Sequence, residues 1–391
     1  MNLDLVRARG ETPGCENVVH FNNAGASLMP SPVLDTVTSY LQLEAQTGGY
    51  EAAKLKAAEV EKVYDSVATL LNAGRDEIAL VENATRAWDM AFYSIPFGPG
   101  DRILTAMAEY ASNYVAFLQL ARKTGATIEI IPDDEYGQLS VEALSDMLDE
   151  RVKLIAITHV PTNGGLVNPA VEVGKLAREA KILYLLDACQ STGQMPLDVK
   201  EIGCDFLSAT GRKYLRGPRG TGFLYARREV LEKVEPPFVD LHAVTWVAQD
   251  RYELRADARR FENWERSIAN MLGLGAAVDY ALEWGLPDIR ERVTALAETL
   301  RTQLSDVPGV RVRDQGKERC GIVTFTVEGK DPDDLQAALA EKRVNVTVSR
   351  LTSTRLDMEA RGLTALVRAS VHYYNSEEEL SRFCSILQSL I

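Results

Sequence analysis

The chain has 391 residues, with 43 lysines and arginines against 56 aspartates and glutamates, so its formal net charge is −13. Apolar residues make up 46% and charged residues 25%, which is typical of globular proteins that bury a core. These values exclude a collagen-like chain, a disulfide mini-protein and a disordered acidic tail. They also argue against nucleic acid or an anionic membrane as the main partner, because phosphate groups bind basic surfaces.

The cysteine and histidine patterns give no sign of a metal site. Five widely spaced cysteines form no CxxC pair, and the four histidines form no HxH or HExxH motif, so we expect neither a metal site nor a disulfide framework. The stretch up to Phe21 has no apolar segment typical of a secretory signal, and no apolar run reaches the ~18 residues of a membrane span. The expected compartment is therefore the cytoplasm.

The first two thirds of the chain alternate between short β-like runs and helical patterns. The predicted strands are Ile78–Val81, Ile103–Ala106, Ile128–Ile131, Leu154–Thr158, Ile182–Leu186, Phe206–Ala209 and Phe223–Tyr225. The predicted helices between them include Tyr114–Lys123, Val141–Asp149 and Val171–Ala180. Near-continuous apolar strands that alternate with helices indicate an α/β fold with a mostly parallel sheet.

After about residue 262 the pattern changes. A long helical region is predicted from about Ser267 to Leu304. It is followed by a strand, a helix, two strands and a final helix, the first four at Ile322–Val327, Asp333–Lys342, Val344–Val348 and Val367–His372. This order predicts a small C-terminal α+β domain. We therefore expect three parts: an N-terminal segment, residues 1–20, that packs with the small domain; a large domain, residues 21–265; and a linking helix with the small domain, residues 266–391.

Polar residues follow successive predicted strands at the point where each strand ends. They are Asn83-Ala84-Thr85, Glu109-Tyr110, Thr162-Asn163, Asp187 with Gln190, and Thr210-Gly211-Arg212-Lys213. Taken alone, each group has an ordinary explanation as a helix cap, a packed ring or a solvated lysine. In an open parallel sheet, however, ligands bind beyond the carboxyl ends of the strands, so we expect these groups to share one site.

Together these groups fit the cofactor pyridoxal phosphate (PLP). That cofactor needs a lysine amine for a Schiff base, an acid beside the pyridine nitrogen, an aromatic ring and an anion cradle. Lys213, Asp187 and Tyr110 supply the first three. The helix that begins at Ala84-Thr85 would offer backbone N–H groups to the phosphate.

Two other classes of protein compete with this interpretation. A nucleotide-binding Rossmann enzyme is disfavoured because Gly217–Gly222 has the pattern GxxGxG rather than GxGxxG, and no glycine fingerprint follows an early strand. A catalytically inactive scaffold that keeps the fold is disfavoured because Lys213, Asp187 and Gln190 are all intact. A colourless protein that takes up no PLP would support the scaffold.

The same motifs resemble a known family. Asn83-Ala84-Thr85, Glu109-Tyr110, Asp187-x-x-Gln190 and Thr210-Gly211-Arg212-Lys213, in this order, are similar to the class V aminotransferase family of fold type I PLP enzymes. This family includes cysteine desulfurases, isopenicillin N epimerase, kynureninase and the C–S lyase of ergothioneine synthesis. The resemblance extends from Phe21 to Asn375 and implies a large α/β domain with a mostly parallel seven-stranded sheet, plus a small C-terminal α+β domain.

The resemblance also implies a role for each motif residue. Lys213 would be the Schiff-base lysine and the general base, and Asp187 would pair with the pyridine nitrogen. The other implied cofactor contacts are Ala84, Thr85, Thr210 and Arg212 at the phosphate, Tyr110 over the ring, and Gln190 with Thr162 or Asn163 near the phenolate oxygen. The implied substrate residues are Arg368 at the carboxylate, Arg350 or Arg355 assisting it, and Asn23 in a loop at the mouth of the site.

Two segments depart from the desulfurase pattern. Desulfurases carry a cysteine on a mobile loop shortly before the final Arg-Ala-Ser segment, whereas residues Ser349–Arg355 contain none. A persulfide-forming reaction is therefore not expected. In addition, Arg260–Glu265 stands where desulfurases have a Gly-Thr turn that contacts the phosphate of the partner subunit, and it is more similar to the epimerase and C–S lyase branch.

The resemblance leaves the reaction open. It implies a small L-amino acid as the substrate, an aldimine at Lys213 and a Cα carbanion, followed by C–S or β-elimination or by transamination. An epimerase or racemase reaction is the alternative. It also implies a homodimer with shared active sites, to which Arg260–Arg266 would contribute across the interface.

Overall fold

The protein is built from two main sheets, with helices packed against them. The structure, a computed structural model, describes residues 3–391. The strands are β1 (Val19–His20), β2 (Ile78–Val81), β3 (Arg102–Ala106), β4 (Thr127–Ile131), β5 (Val152–Thr158), β6 (Leu183–Asp187), β7 (Phe206–Thr210), β8 (Gly222–Ala226), β9 (Val244–Ala248), β10 (Arg251–Leu254), β11 (Val310–Val312), β12 (Ile322–Val327), β13 (Val344–Asn345), β14 (Thr347–Arg350) and β15 (Ala365–Ser370).

The helices connect these strands. They are α1 (Leu5–Gly10), α2 (Ser31–Thr47), α3 (Gly49–Leu55), α4 (Ala57–Leu71), α5 (Ala84–Phe92), α6 (Ala111–Thr124), α7 (Val141–Met147), α8 (Ala170–Ala180), α9 (Val199–Ile202), α10 (Arg228–Leu231), α11 (Ile268–Trp284), α12 (Leu286–Ser305), α13 (Pro332–Glu341), α14 (Arg355–Ala360) and α15 (Glu377–Leu390). Single turns of 3-10 helix lie at Pro13–Glu16, Arg75–Glu77, Ala258–Phe261 and Leu351–Ser353.

The large sheet has seven strands in the order β2-β8-β7-β6-β5-β3-β4. Strand β8 is antiparallel to both of its neighbours, and all other neighbouring strands are parallel. The predicted α/β fold with a mostly parallel seven-stranded sheet is therefore confirmed. The parallel arrangement brings the carboxyl ends of β3, β5, β6 and β7 to one edge of the sheet.

Both faces of this sheet are covered, which explains why its strands are apolar along their whole length. On β6, Tyr184 and Leu186 belong to the core cluster that includes Val173 of α8. Leu185, which points to the opposite face, belongs to the cluster that includes Trp88 of α5. Because successive side chains of a strand point to opposite faces, a strand between two helical layers needs apolar residues at every position.

The seven predicted strands of the large sheet lie within two residues of the observed ones, but several later predictions were wrong in their bounds. The single helix predicted from Ser267 to Leu304 is two helices, because the chain turns at Gly285 with φ of 83°. The single strand predicted at Val344–Val348 is split into β13 and β14, and the last predicted strand begins and ends two residues earlier, as β15. Position 285 favours glycine because a side chain is strained at a positive φ.

The C-terminal part contains a four-stranded antiparallel sheet in the order β11-β12-β15-β14. The N-terminal segment lies against this part: β1 pairs in parallel with β13, and Arg9 forms an ion pair of 2.8 Å with Glu379 on α15. These contacts agree with a segment 1–20 that packs on the small domain. The boundaries at residues 20/21 and 265/266 stay a prediction.

Gly222 allows β8 to pack in direct contact with β7 and with the start of α5. A Cβ atom at Gly222 would lie 2.6 Å from the carbonyl oxygen of Ala209 and 2.8 Å from the carbonyl carbon of Asn83. Strand β8 can therefore approach β7 and the start of α5 only because residue 222 has no side chain.

Three further features concern the described residues as a whole. Between residues 3 and 391, no helix combines the length and the apolar character needed to cross a membrane. The same residues contain no group of three or more histidine, cysteine, aspartate or glutamate side chains that could hold a metal ion. All five cysteines are unpaired.

Candidate active site

A cavity of about 510 Å³ opens at the carboxyl edge of the large sheet. Its walls come from the segments that follow β2, β3, β5, β6 and β7. The lining residues are Glu82, Asn83, Ala84, Thr85, Tyr110, Thr158, Val160, Thr162, Asp187, Cys189, Gln190, Thr210, Arg212, Lys213, Arg219 and Gly220. The strand ends singled out in the sequence thus meet in one cavity, as the open-sheet rule requires.

The N-terminus of α5 forms one wall. The side chain of Asn83 caps this helix by accepting a hydrogen bond of 2.9 Å from the backbone N–H of Arg86, while Ala84 and Thr85 face the cavity. The first N–H groups of a helix have no partner within the helix, and they carry partial positive charge. Thr210 and Arg212 line the same cavity and lie next to each other, with Arg212 Nη1 donating to Thr210 Oγ1 at 3.3 Å. This wall suits a phosphate group.

The amine of Lys213 enters the cavity from a turn whose backbone is fixed on several sides. The carbonyl oxygen of Lys213 accepts from the N–H of Arg216 at 2.9 Å, and the carbonyl oxygen of Arg212 accepts from the N–H of Ser27 at 2.9 Å. Burial lowers the pKa of Lys213 from its usual range, and the nearby guanidinium groups of Arg212 and Arg368 lower it further. The amine is therefore poised to act as a nucleophile or base.

The carboxylate of Asp187 ends strand β6 and is held at both oxygens. Its Oδ1 accepts from the backbone N–H of Cys189 at 2.9 Å, and its Oδ2 accepts from Asn113 Nδ2 at 3.0 Å. Asp187 is 5% exposed. A carboxylate fixed in this way can face a protonated ring nitrogen with little reorganisation.

A second buried carboxyl group, Glu109, lies behind Asp187. Glu109 accepts hydrogen bonds from Asn113 Nδ2 at 2.8 Å and from the hydroxyl and N–H groups of Thr158 at 2.6 and 3.0 Å. Burial raises the pKa of Glu109 to about 7, and the negative charge of Asp187 adds to this rise. The strand-end pattern assigns Glu109 no role of its own and does not point to Asn113. The spacing of four residues between them, one turn of helix, is the signal that could have found the pair.

Arg368 is a buried cation whose partners are all uncharged. It donates to the hydroxyl oxygen of Thr162, and its Nη2 lies 3.4 Å from Asn22 Oδ1. Its Nε atom is buried without a hydrogen-bond partner, and burial lowers its pKa to about 10. Arg368 does not itself line the cavity but touches Thr162, which does. A guanidinium in this state suits a carboxylate ligand.

Four predicted site residues have other partners and lie outside the cavity lining. Asn163 donates to Thr354 Oγ1 at 2.8 Å, while its Oδ1 is buried without a partner, and Asn23 donates to the carbonyl oxygen of Ser370 at 2.7 Å. Arg350 is exposed and forms an ion pair of 2.5 Å with Asp333. Arg355 likewise pairs with Glu359 at 2.7 Å. The cavity lining does not include these residues, and their roles at the site stay predictions.

The cavity residues fit the predicted cofactor. Lys213 supplies an amine, Asp187 a fixed carboxylate, and the start of α5 an anion cradle. Tyr110, 37% exposed, brings an aromatic ring to the cavity wall. Gln190 donates to the carbonyl oxygen of Ala24 at 3.1 Å, but its Oε1 atom is buried without a partner, which leaves a polar group in the wall for a ligand.

Sequence reasoning missed part of the lining. The additional cavity residues are Glu82, Thr158, Val160, Cys189, Arg219 and Gly220. Most of them are immediate neighbours of predicted motifs, so the strand-end argument located their segments without naming them. Arg219 and Gly220 are the exceptions, since they follow the Lys213 turn, in the segment that leads into β8.

Comparisons with known proteins agree with this site. Residues 19–383 match the family model for Aminotransferase class-V, so the chain belongs to this family. A probable cysteine desulfurase of Methanothermobacter thermautotrophicus is 30% identical over 98% of this chain and 97% of its own, and one of Xylella fastidiosa strain 9a5c is 33% identical over 98% and 95%. The solved apo structure of a cysteine desulfurase from Thermococcus onnurineus NA1 superposes with a TM-score of 0.93 and 28% identity, covering 100% of this chain and 98% of that one.

The family membership settles the cofactor and the general class of activity. The protein is a PLP-dependent enzyme, and pyridoxal phosphate is its cofactor.

Replacing Glu109 with glutamine should remove a pH dependence of stability. The pKa of Glu109 is raised to about 7 from 4.5. Between these values the folded protein therefore binds more protons than the unfolded chain, so its free energy of unfolding falls as the pH rises. From this group the fall should reach at most about 3 kcal/mol between about pH 4.5 and 7.

Urea unfolding of wild type and Glu109→Gln at several pH values, in the same cofactor state, measures this effect. The exposed carboxyl of Glu318, paired with Arg290, provides a control, and Glu318→Gln should leave the wild-type pH dependence in place. If the free energy of unfolding depended on pH in the same way for the wild type and Glu109→Gln, the prediction would be wrong.

Proposed function

We propose that the protein is a C–S or β-lyase that acts on a small L-amino acid. The observation that carries this proposal is the meeting of the Lys213 amine, the fixed Asp187 carboxylate and the α5 N-terminus in one cavity, with the buried cation Arg368 beside it. The names of the curated relatives, cysteine desulfurases, support chemistry at a carbon–sulfur bond. PLP supplies an electron sink that makes bonds at the α-carbon of an amino acid easier to break.

The residues divide the work as follows. The guanidinium of Arg368 receives the substrate carboxylate, because no carboxylate of the described residues neutralises it. The amine of Lys213 takes the proton from the α-carbon, since its lowered pKa leaves more of it unprotonated. The carboxylate of Asp187 would pair with the ring nitrogen and favour its protonated form, and the start of α5 with Thr210 and Arg212 would hold the phosphate.

The positions of the cysteines favour release of sulfur as free sulfide rather than transfer to the enzyme. Cys189 is the one cysteine that lines the cavity, and burial raises the pKa of its thiol, which makes it a poor nucleophile. Cys204, Cys320 and Cys384 are buried elsewhere, and Cys15 lies in the N-terminal segment. Residues Ser349–Arg355 contain no cysteine. With L-cysteine, the balanced reaction consumes one water and yields pyruvate, ammonia and hydrogen sulfide.

A product analysis tests the proposed reaction. The holoenzyme is incubated with L-cysteine, L-cystine, L-serine and L-alanine, and pyruvate, ammonia and sulfide are measured. We expect equal amounts of the three products from L-cysteine, and a loss of at least about 1,000-fold in rate for Lys213→Ala because the proton acceptor is gone. Lys175→Ala, which changes an exposed lysine on α8, should retain wild-type rates.

Other outcomes would replace the lyase by another reaction. Conversion of the cofactor to its pyridoxamine form with a 2-oxo acid would indicate an aminotransferase, and loss of optical rotation without products would indicate a racemase or epimerase. L-Alanine together with a protein persulfide would indicate desulfuration. A protein that binds no PLP would be a scaffold.

Arg368 should control the binding of the substrate carboxylate. We expect Arg368→Met to raise KM about 30- to 100-fold, because a charge-assisted bidentate contact is lost. The KM of Arg368→Lys should lie between those of the wild type and Arg368→Met. Steady-state kinetics with L-cysteine measure both variants. Arg350→Met is the matched control, since Arg350 is exposed and paired with Asp333, and it should change KM less than about twofold. A larger effect at Arg350 than at Arg368 would reverse the assignment.

We also propose that the enzyme is a homodimer. A set of large apolar side chains stands exposed on the segment between α10 and α11: Phe238, Leu241, Trp246, Tyr252 and Trp264, with exposures of 45%, 69%, 69%, 45% and 60%. One member of this set packs against α5, because the guanidinium of Arg86 lies 3.9 Å from the ring centre of Phe238. Such apolar surface is unusual on a monomer and suits a second copy of the chain. Within Arg260–Arg266, Arg260 and Glu262 are buried, so Trp264 and Glu265 are the exposed candidates to reach the partner.

Sedimentation equilibrium tests the dimer. The wild type should have about twice the mass of one 43.1 kDa chain. The double variant Leu241→Glu with Trp264→Glu places two charges in the apolar set. It should shift the equilibrium from dimer to monomer, because a charge is costly to bury in an interface. Tyr136→Glu, at another exposed aromatic residue, should leave the mass unchanged. A wild-type monomer would contradict the proposal.

The compartment also stays a proposal. Five cysteines without disulfide bonds suit a reducing environment such as the cytoplasm.

A further inference from the structure

Three residues after Lys213, a fully buried arginine holds together three separate parts of the protein. Arg216 is 1% exposed. Its Nε donates to the carbonyl oxygen of Leu28 at 2.9 Å, its Nη1 donates to the hydroxyl oxygen of Tyr373 at 2.7 Å, and its Nη2 donates to the hydroxyl oxygen of Thr12 at 2.5 Å. The guanidinium thus joins the Lys213 turn to the N-terminal segment and to the residues that follow β15.

Arg216 carries its charge without an ion pair among the described residues. Three aromatic rings surround it instead: its guanidinium carbon lies 4.5 Å from the ring centre of Tyr374, 5.3 Å from that of Tyr373 and 5.7 Å from that of Tyr280. Cation–π contacts and three hydrogen bonds offset part of the cost of burying the charge. A neutral side chain would avoid that cost altogether, so a buried arginine here calls for a reason beyond packing.

The backbone of Arg216 is strained as well. Its φ is +63°, and the other residues apart from glycine with positive φ in the described chain are Asn72, Lys181 and Arg343. Each of these three follows the end of a helix, where a left-handed residue is common. Arg216 ends no helix. Strain of this kind at a residue that is not glycine concentrates at functional sites.

The contacts of Arg216 connect the two ends of the substrate site. On one side, its backbone N–H bonds to the carbonyl oxygen of Lys213 at 2.9 Å. On the other side, Tyr373 lies five residues after Arg368 and directly follows His372, whose Nε2 is 3.0 Å from the carbonyl oxygen of Tyr214. The Lys213 turn and the chain that leaves the Arg368 strand are therefore fixed to each other at two adjacent points.

We propose that Arg216 is a positioning residue that sets the distance between the Lys213 amine and the Arg368 guanidinium, so that an amino acid bound by its carboxylate presents its α-carbon to the amine. The inference rests on the proposed role of Arg368 and adds to it a residue that touches neither substrate nor cofactor. A small substrate requires a fixed distance, because a shift of about 1 Å at a reacting centre can cost about a hundredfold in rate.

A comparison of two ligands that differ in one carboxylate tests this role. Holoenzyme is titrated with L-alanine and with ethylamine, which has the amine but no carboxylate, and binding is followed by the visible absorbance of PLP. In the wild type we expect tighter binding of L-alanine. In Arg216→Met this preference should fall about tenfold, whereas PLP content and ethylamine binding should change less than about twofold. If Arg216 had a purely structural role, its replacement would weaken the binding of both ligands to the same extent.

Gentler variants protect the test against misfolding. Tyr373→Phe keeps the ring but removes the acceptor of the Arg216 hydrogen bond, so it should reduce the preference in the same direction, by about threefold. Tyr280→Phe is the matched control, because it keeps the ring beside Arg216 and removes a hydroxyl that donates to Glu11 and accepts no hydrogen bond from Arg216, and it should retain the wild-type preference.

The outcomes separate this inference from the proposed function. Equal binding of both ligands by the wild type would overturn the role of Arg368 and, with it, the role of Arg216. A wild-type preference that persists in Arg216→Met and Tyr373→Phe would overturn the Arg216 proposal alone. An equal loss of affinity for both ligands in Arg216→Met would also overturn the Arg216 proposal.

Discussion

The amide of Asn113 lies between two buried carboxyl groups, and the geometry of the active site depends on it. Its Nδ2 donates to Glu109 at 2.8 Å and to Asp187 at 3.0 Å. Two neighbouring carboxylates repel each other, and a shared donor, together with a raised pKa at Glu109, relieves that repulsion. Because Glu109 also bonds to Thr158, the ends of β3, β5 and β6 are joined at one point. Asp187 therefore keeps one orientation in the wall of the cavity that Lys213 also lines.

The sequence predicted the large domain well and the site in part. Strand ends are local features, so Asp187 and Lys213 could be found from the apolar runs that precede them. Side-chain direction is not local: Asn163 and Asn23 lie next to cavity segments, yet each amide is used in a contact with a residue about 190 or 350 positions away. The bond from Asn113 to Asp187 likewise spans 74 positions and depends on the packing of α6 against the sheet. Without tertiary structure, such partners cannot be predicted.

The distribution of charge fits an anionic ligand in a protein of net charge −13. Arg212 and Arg219 line the cavity together with the acidic Glu82 and Asp187, and Arg368 lies directly behind its wall. Guanidinium groups placed in a recess attract small anions, such as a phosphate ester or an amino acid carboxylate, while the negative net charge of the protein disfavours large polyanions. The composition and the cavity therefore lead to the same class of ligand by separate routes.

The hairpin of β9 and β10 has a consequence for how the enzyme behaves in dilute solution. Its side chains are exposed along most of both strands, including Trp246 and Tyr252. An isolated two-stranded ribbon is only marginally stable in water. If a second copy of the chain covers this ribbon, the order of the ribbon depends on dimer formation. The specific activity would then decline once the protein is diluted below the dissociation constant of the dimer.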